Sequence, residues 1–240
     1  MNRRHQAIAV AVLLVAAFAA PAAAQTVDEV VAKNIAAKGG LERIHAVQSM
    51  RQTGKLTLQG METTLVIVGK RPNLIRQEMI VGGQTNVNAF DGTTAWQMMP
   101  VMGMTAPVVV TGPMANSIKE QSDFDGPLID YKTKGYKLEL VGTETMGDRK
   151  VYHLKLTNST QQVQQIYIDT ETNLERKMVS DSPFGPLEQE LSDFRDVEGV
   201  KVPFSVRTVA NGVEQMKIVV QKVEINPQID DALFKMPKSQ

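Results

Sequence analysis

The chain has 240 residues, 26 basic against 26 acidic side chains, and no cysteine. That balance leaves no basic stripe to hold nucleic acid and no electrostatic grip on an anionic membrane surface. Without disulfides, the chain must be held by its apolar core alone, which a domain of this size can build.

Residues 1–24 read as an export signal. Arg3 and Arg4 are followed by the uncharged run "AIAVAVLLVAAFAA", then by Ala22 and Ala24 ahead of Gln25. The run is short for a bilayer span, which needs roughly 20 residues, so cleavage before Gln25 is expected. Losing Arg3 and Arg4 leaves 24 basic against 26 acidic residues. No cysteine follows to carry a lipid anchor. Residues 25–240 are therefore expected as one soluble domain, in the periplasm of an envelope-bearing bacterium.

Thr26 is placed to cap a helix with Asp28 and Glu29 in its first turn. Val27, Val30, Val31 and Ile35 give that helix one apolar stripe, and Gly39-Gly40 stops it. A short turn through Leu41 and Ile44 follows, and the period then switches to two. "MRQTGKLTLQG", "METTLVIVGK", "NLIRQEMIVGG", "QTNVNAFDG" and "TTAWQMM" alternate apolar and polar residues between Gly, Asp-Gly or Pro breaks. Alternation resumes in "YKLELVGTE", "KVYHLKLTN", "VQQIYID", "LERKMVS", "PLEQELSDF", "KVPFSVRTVA" and "VEQMKIVVQKVEI", with Asn211-Gly212 a strong hairpin signal. From Pro100 to about Asp130 the pattern is irregular, apart from a predicted helix "PMANSIKEQSDF" with Pro113 in its first turn.

So many consecutive strands with one apolar face need a cover, and few helices are available. The economical fold is mainly β (α+β): an unclosed, strongly curved antiparallel β-barrel of about eleven strands, with two or three helices over its concave face. A gap between sheet and lid is then a natural apolar cavity.

Catalytic signatures are missing. His45 and His153 are the only histidines after residue 24, and neither has a second ligand at zinc-like spacing. No nucleophile elbow, phosphate loop or dinucleotide fingerprint occurs. The acids of "EQSDFDGPLID" read as a solvated turn. "DTETNLER" lacks the glycine and closing Glu of a calcium loop. Neither an enzymatic role nor a cofactor is expected.

The stretch "WQMMPVMGMTAP" stands apart. Met98, Met99, Met102 and Met104 crowd beside Trp96, the only tryptophan. Thioethers ligate Cu(I), so a copper site is one reading. Thirteen methionines against 5% aromatic residues fit the other, an adaptable apolar surface. Trp96, Met98, Met99, Met102, Met104, Phe124 and Leu128 are the candidates for a cavity or its lid, with ordinary core packing the alternative for each.

Several stretches resemble the LolA/LolB-like lipoprotein carriers, the exported outer-membrane lipoprotein-sorting proteins. They run in order from "AKNIAAKGGLERIHAVQSMRQTGKL" through "FDGTTAWQMMP", "DYKTKGYKLELVGTETMGDRKVYHLKLT" and "QIYIDTETNLERKM" to "VKVPFSVRT" and "INPQIDDALFKMP". The resemblance implies an unclosed barrel with a helical lid, holding acyl chains of lipoproteins or other lipids in transit. It also implies inner- and outer-membrane donor and acceptor proteins as partners, and a monomer. Family carriers place a basic residue near the cavity mouth; Arg51, Arg71 and Arg76 are its possible occupants. Two rival readings are a sensor that uses the same hollow for a protein partner and a Met-rich copper protein.

Overall fold

Thr26 closes a capping box: its hydroxyl accepts from Glu29 N at 3.3 Å, and its own N–H donates to Glu29 Oε2 at 2.8 Å. That fixes the start of α1 (Val27–Ala37) in the computed structural model, which describes residues 25–182 and 185–238. The expected export signal at 1–24 lies outside the described residues. α2 (Leu41–Ala46) follows the Gly39-Gly40 break. No described helix is long and apolar enough to cross a membrane.

Gly39 shows why that break is glycine. Its φ is +121°, and a methyl group there would sit 2.1 Å from the Gly199 carbonyl oxygen. Lys201 N also donates to Lys38 O at 2.9 Å, so the break docks flush against the sheet. Gly39→Ala is expected to cost about 1–3 kcal/mol from backbone strain alone, read as a lower urea midpoint at unchanged slope.

Six strands come next: β1 (Ser49–Leu58), β2 (Met61–Lys70), β3 (Leu74–Val81), β4 (Gln84–Phe90), β5 (Ala95–Met99) and β6 (Met104–Val109). After α3 (Gly112–Gln121) follow β7 (Lys137–Met146), β8 (Arg149–Thr157), β9 (Val163–Asp169), β10 (Glu175–Ser182), β11 (Gly185–Val197), β12 (Val200–Ala210) and β13 (Val213–Ile225). All pair antiparallel in one open sheet, ordered β6-β5-β4-β3-β2-β1-β13-β12-β11-β10-β9-β8-β7. Two meanders are thus joined only where β1 meets β13. Hairpin chemistry sets the joints; Asn211 and Gly212 both have positive φ, at 52° and 75°, as a type I′ turn requires.

The count of about eleven strands becomes thirteen. Each of the twelve alternating stretches quoted above forms a strand, and the thirteenth is β6, within the stretch expected to be irregular. Pro107 and the run Val108–Val110 hide its period. As an edge strand it pairs only with β5, and edges tolerate proline. α3 is shorter than "PMANSIKEQSDF", because Ser122 turns back: its N donates to Ile118 O and its hydroxyl to Lys119 O.

β6 and β7 are the two free edges, so the chain between them must travel from one side of the opening to the other. That journey lays α3 and residues 122–136 over the concave face. Three apolar clusters form beneath the helices. Val30 and Val31 of α1 pack with Leu154 and Ile166, Ile44 of α2 packs with Val202 and Phe204, and Ile118 of α3 packs with Ile75 and Phe90. α1 is further tied by Asn34 Nδ2 to Asn173 O at 2.8 Å and by Lys38 to Glu175 at 3.0 Å.

A candidate binding surface on the concave face

Strand register assigns each side chain to a face. Ile75 and Phe90, which touch α3, fix the concave side. Alternate residues then carry the same face across the sheet. One cross-strand row reads Gln97, Asn88, Gln77, Ile67 and Gln52 over β5, β4, β3, β2 and β1. A neighbouring row carries Asn86, Met79, Leu65 and Gly54, with Val220 opposite on β13. Farther round, Leu154, Ile166, Met178, Gln189, Thr208 and Met216 continue over β8 to β13. None of these positions is charged.

The intervening residues point outward and hold ion pairs. Lys55 meets Glu62 at 2.6 Å, Lys177 meets Glu188 at 3.1 Å, and Arg207 meets Glu190 at 2.9 Å and Glu214 at 2.7 Å. His153 also belongs outside, stacked 4.6 Å from Tyr167 and bonded to Gln165 at 2.8 Å. Asp169 Oδ1 accepts from Glu171 N and Thr172 N, and these turn bonds hold its pKa down against the opposing effect of burial.

Beyond the helices the concave face is only partly covered: Gln52, Ile67, Gln77, Met79, Met178, Gln189 and Ile218 are half-buried. Two oxygens of the amide row, Asn88 Oδ1 and Gln97 Oε1, are buried without a hydrogen-bond partner, as is Thr208 Oγ1. Leaving such a group unpaired costs about 1–3 kcal/mol, and native interiors keep few of them.

The lid over this face is lightly held. In α3 only Ile118 is buried. Its end is fixed by Gln77 Nε2 donating to Gln121 Oε1 at 2.8 Å and by Asn158 Nδ2 donating to Glu120 Oε1 at 3.1 Å. Burial pushes the Glu120 carboxyl pKa up. The segment after α3 is gripped harder. Arg71 donates to Asp125 Oδ2 at 2.6 Å, to Val47 O at 2.7 Å and to Ile44 O at 3.0 Å, and its guanidinium lies 4.9 Å from the Phe124 ring centre.

The sequence candidates divide between faces. Trp96 and Met98 pair with Ala89 and Val87 and cluster with them on the outer side. There Trp96 is fully buried and donates to Phe234 O at 2.7 Å. Met99 pairs with Met104 across β5 and β6, while Met102 is 72% exposed at the turn between them. Phe124 packs against the α2 cluster and Leu128 against the α1 cluster. Met98 thus lies in the outer cluster with Trp96, apart from the Met99–Met104 pair of the β5–β6 hairpin. None of the three arginine candidates faces the hollow: Arg71 braces the lid, while Arg51 and Arg76 alternate outward.

What the sequence reading missed is the amide row. Its signal was present in the alternation itself, since "NVNAF" and "WQM" place amides, not charges, between the outward Val87, Ala89, Trp96 and Met98. Two clefts among the described residues lie elsewhere. One, about 690 Å³, is a wide groove beside Lys70, Asp230 and Gln228; the other, about 370 Å³, separates α3 from the β8–β9 turn.

No protein-family model and no curated protein matches the sequence. Solved structures do match in shape. A LolA superfamily protein from Nitrosomonas europaea aligns over 88% of this chain and 98% of its own, with TM-score 0.59 and 15% identity. A DUF1329 family protein from Desulfovibrio piger aligns over 88% and 98%, with TM-score 0.62 and 12% identity. The chain has the LolA-like fold, an unclosed curved barrel with helices over its concave face.

Proposed function

We propose that this LolA-like chain is a soluble periplasmic carrier, holding acyl chains of a lipoprotein or lipid on its concave face during transit toward the outer membrane. The observation that carries the reading is the partly open concave face beneath a lightly held helix, whose cross-strand rows named above carry no charge, while the strand pairs Lys55–Glu62, Lys177–Glu188 and Arg207 with Glu190 and Glu214 turn outward. Hydrocarbon laid against Ile67, Met79 and Ile218 would gain about 0.8 kcal/mol per buried methylene. Such a gain is non-directional, so cargo can slide in and be released. The lid and lip suit this traffic, because no charged residue occurs between Asp91 and Lys119. An export signal at residues 1–24 would deliver residues 25–240 to the periplasm.

Native mass spectrometry of protein purified from its own envelope tests the reading. Stoichiometric lipid or acylated peptide is expected; a co-purifying protein over an empty hollow would favour the sensor instead. A site-directed counterpart uses displacement of the fluorophore N-phenylnaphthylamine. Ile67→Glu puts a charge on the concave row and is expected to weaken acyl binding at least about tenfold, since a buried unpaired charge is costly. Thr53→Glu, on the outward side of β1, is expected to leave binding unchanged. Equal effects from the two would remove the concave face as the site.

A further inference from the structure

The amide row is the feature that plain hydrocarbon does not explain. Gln97, Asn88 and Gln77 lie side by side on three adjacent strands, with Gln52 one strand beyond Ile67. Two of the four have buried oxygens without a partner. Apolar side chains at the same positions would fit the pleat equally well, and the rows on either side contain them. An amide can offer an N–H or an oxygen, and neither form carries charge at any ordinary pH.

We propose that this row is a subsite for the neutral polar junction of an amphiphile, an ester, amide or hydroxyl group next to its acyl chain. The inference rests on the carrier reading and narrows its cargo. Asn88 and Gln97 would hydrogen-bond the junction under α3, while the chain runs over Ile67, Met79 and Leu65 toward β13. A carboxylate or phosphate buried there would meet no cation, because Arg51, Arg71 and Arg76 are all directed elsewhere. Gln52 is engaged with Met50 Sδ at 3.1 Å, and Gln77 with Gln121 of α3 at 2.8 Å. A ligand reaching the row therefore also touches the residue that holds the lid's end.

The test compares monolauroylglycerol with laurate, at a pH where laurate is ionised, by displacement of N-phenylnaphthylamine from the intact chain. The glyceride is expected to bind at least about tenfold tighter, the factor one well-made hydrogen bond supplies. Gln97→Met, close in shape to the native side chain, and Asn88→Leu are each expected to weaken the glyceride by a similar factor and leave laurate unchanged. Circular dichroism and the urea midpoint establish that each variant is folded, and either variant alone suffices. Laurate binding as tightly as the glyceride, or a preference that survives Gln97→Met, overturns the subsite while sparing the carrier reading. Failure of both ligands to displace the probe overturns the carrier reading and the subsite with it.

Discussion

Arg71→Met is expected to destabilise the protein by about 3–5 kcal/mol, the usual cost of removing one partner from a buried, hydrogen-bonded pair. Arg71 and Asp125 are both mostly covered, with side-chain exposures of 19% and 14%. The guanidinium serves three elements at once: Asp125 on the segment after α3, the Ile44 and Val47 carbonyls at the end of α2, and the Phe124 ring. Methionine would keep the packing on Phe124 but leave a buried carboxylate and the Val47 carbonyl without that donor, with Ile44 O held by Val47 N alone. Adding Asp125→Leu to Arg71→Met should restore part of the loss, because the stranded charge goes with it. Hydrogen exchange in residues 112–131 is the local readout, and faster exchange there is expected before the sheet itself loosens. An Arg71→Met variant with an unchanged urea midpoint would show that the pair does not hold the lid.

The same pair sets an acid limit. Burial raises the Asp125 pKa, but the Arg71 hydrogen bonds and charge outweigh it and hold the group below its ordinary value of 3.8. A folded-state pKa below the unfolded one gives stability that is fully present above the unfolded value. That stability is lost as pH falls toward the folded value. The native protein should therefore weaken below about pH 4. Arg71→Met should show a flatter acid limb, since its Asp125 no longer gains from ionisation. Parallel limbs would place the acid sensitivity in other carboxylates.

How far these features were legible in the sequence depends on how locally they are determined. The twelve alternating stretches became strands because period two is a property of neighbouring residues. The cover by few helices followed from the area that so many strands must bury. β6 was missed because an edge strand need satisfy only one neighbour, so Pro107 and three consecutive valines cost it little. The Met cluster misled for a geometric reason. Read along the chain, Trp96, Met98 and Met99 form one group; read by alternation, Trp96 and Met98 go outward with Ala89 and Val87, while Gln97 goes inward to Asn88. The partner that claims Trp96 lies 138 residues away, and the carboxylate that claims Arg71 lies 54 away. No local pattern announces either. The amide row was legible in principle, but only once register showed that Gln97, Asn88 and Gln77 are neighbours.

Phe234→Ala should be as damaging as loss of Arg71, about 3–5 kcal/mol for a large buried aromatic, and its effect should appear on the face opposite the proposed cargo site. Phe234 and Trp96 are both fully buried. The final segment is strapped across the outer side of β2 to β5 by three side chains, Lys70, Arg76 and Trp96. Trp96 Nε1 donates to Phe234 O, Arg76 Nη1 donates to Leu233 O at 3.2 Å, and Lys70 Nζ donates to Ile229 O at 2.9 Å. Asp230 caps the short turn Asp231–Leu233 that delivers Phe234, accepting from Ala232 N at 2.9 Å. Because Trp96 is the only tryptophan, its emission reports on this strap alone. Phe234→Ala should loosen the strap and shift that emission to the red at denaturant concentrations where the far-ultraviolet signal of the sheet is still native. Acyl ligands bound on the concave face should leave the emission of the native protein nearly unmoved, since the sheet lies between them and the indole. A strong ligand-induced shift would put cargo on the Trp96 side and exchange the roles of the two faces. An unshifted Phe234→Ala spectrum with native stability would mean that the C-terminal segment rests on the barrel without supporting it.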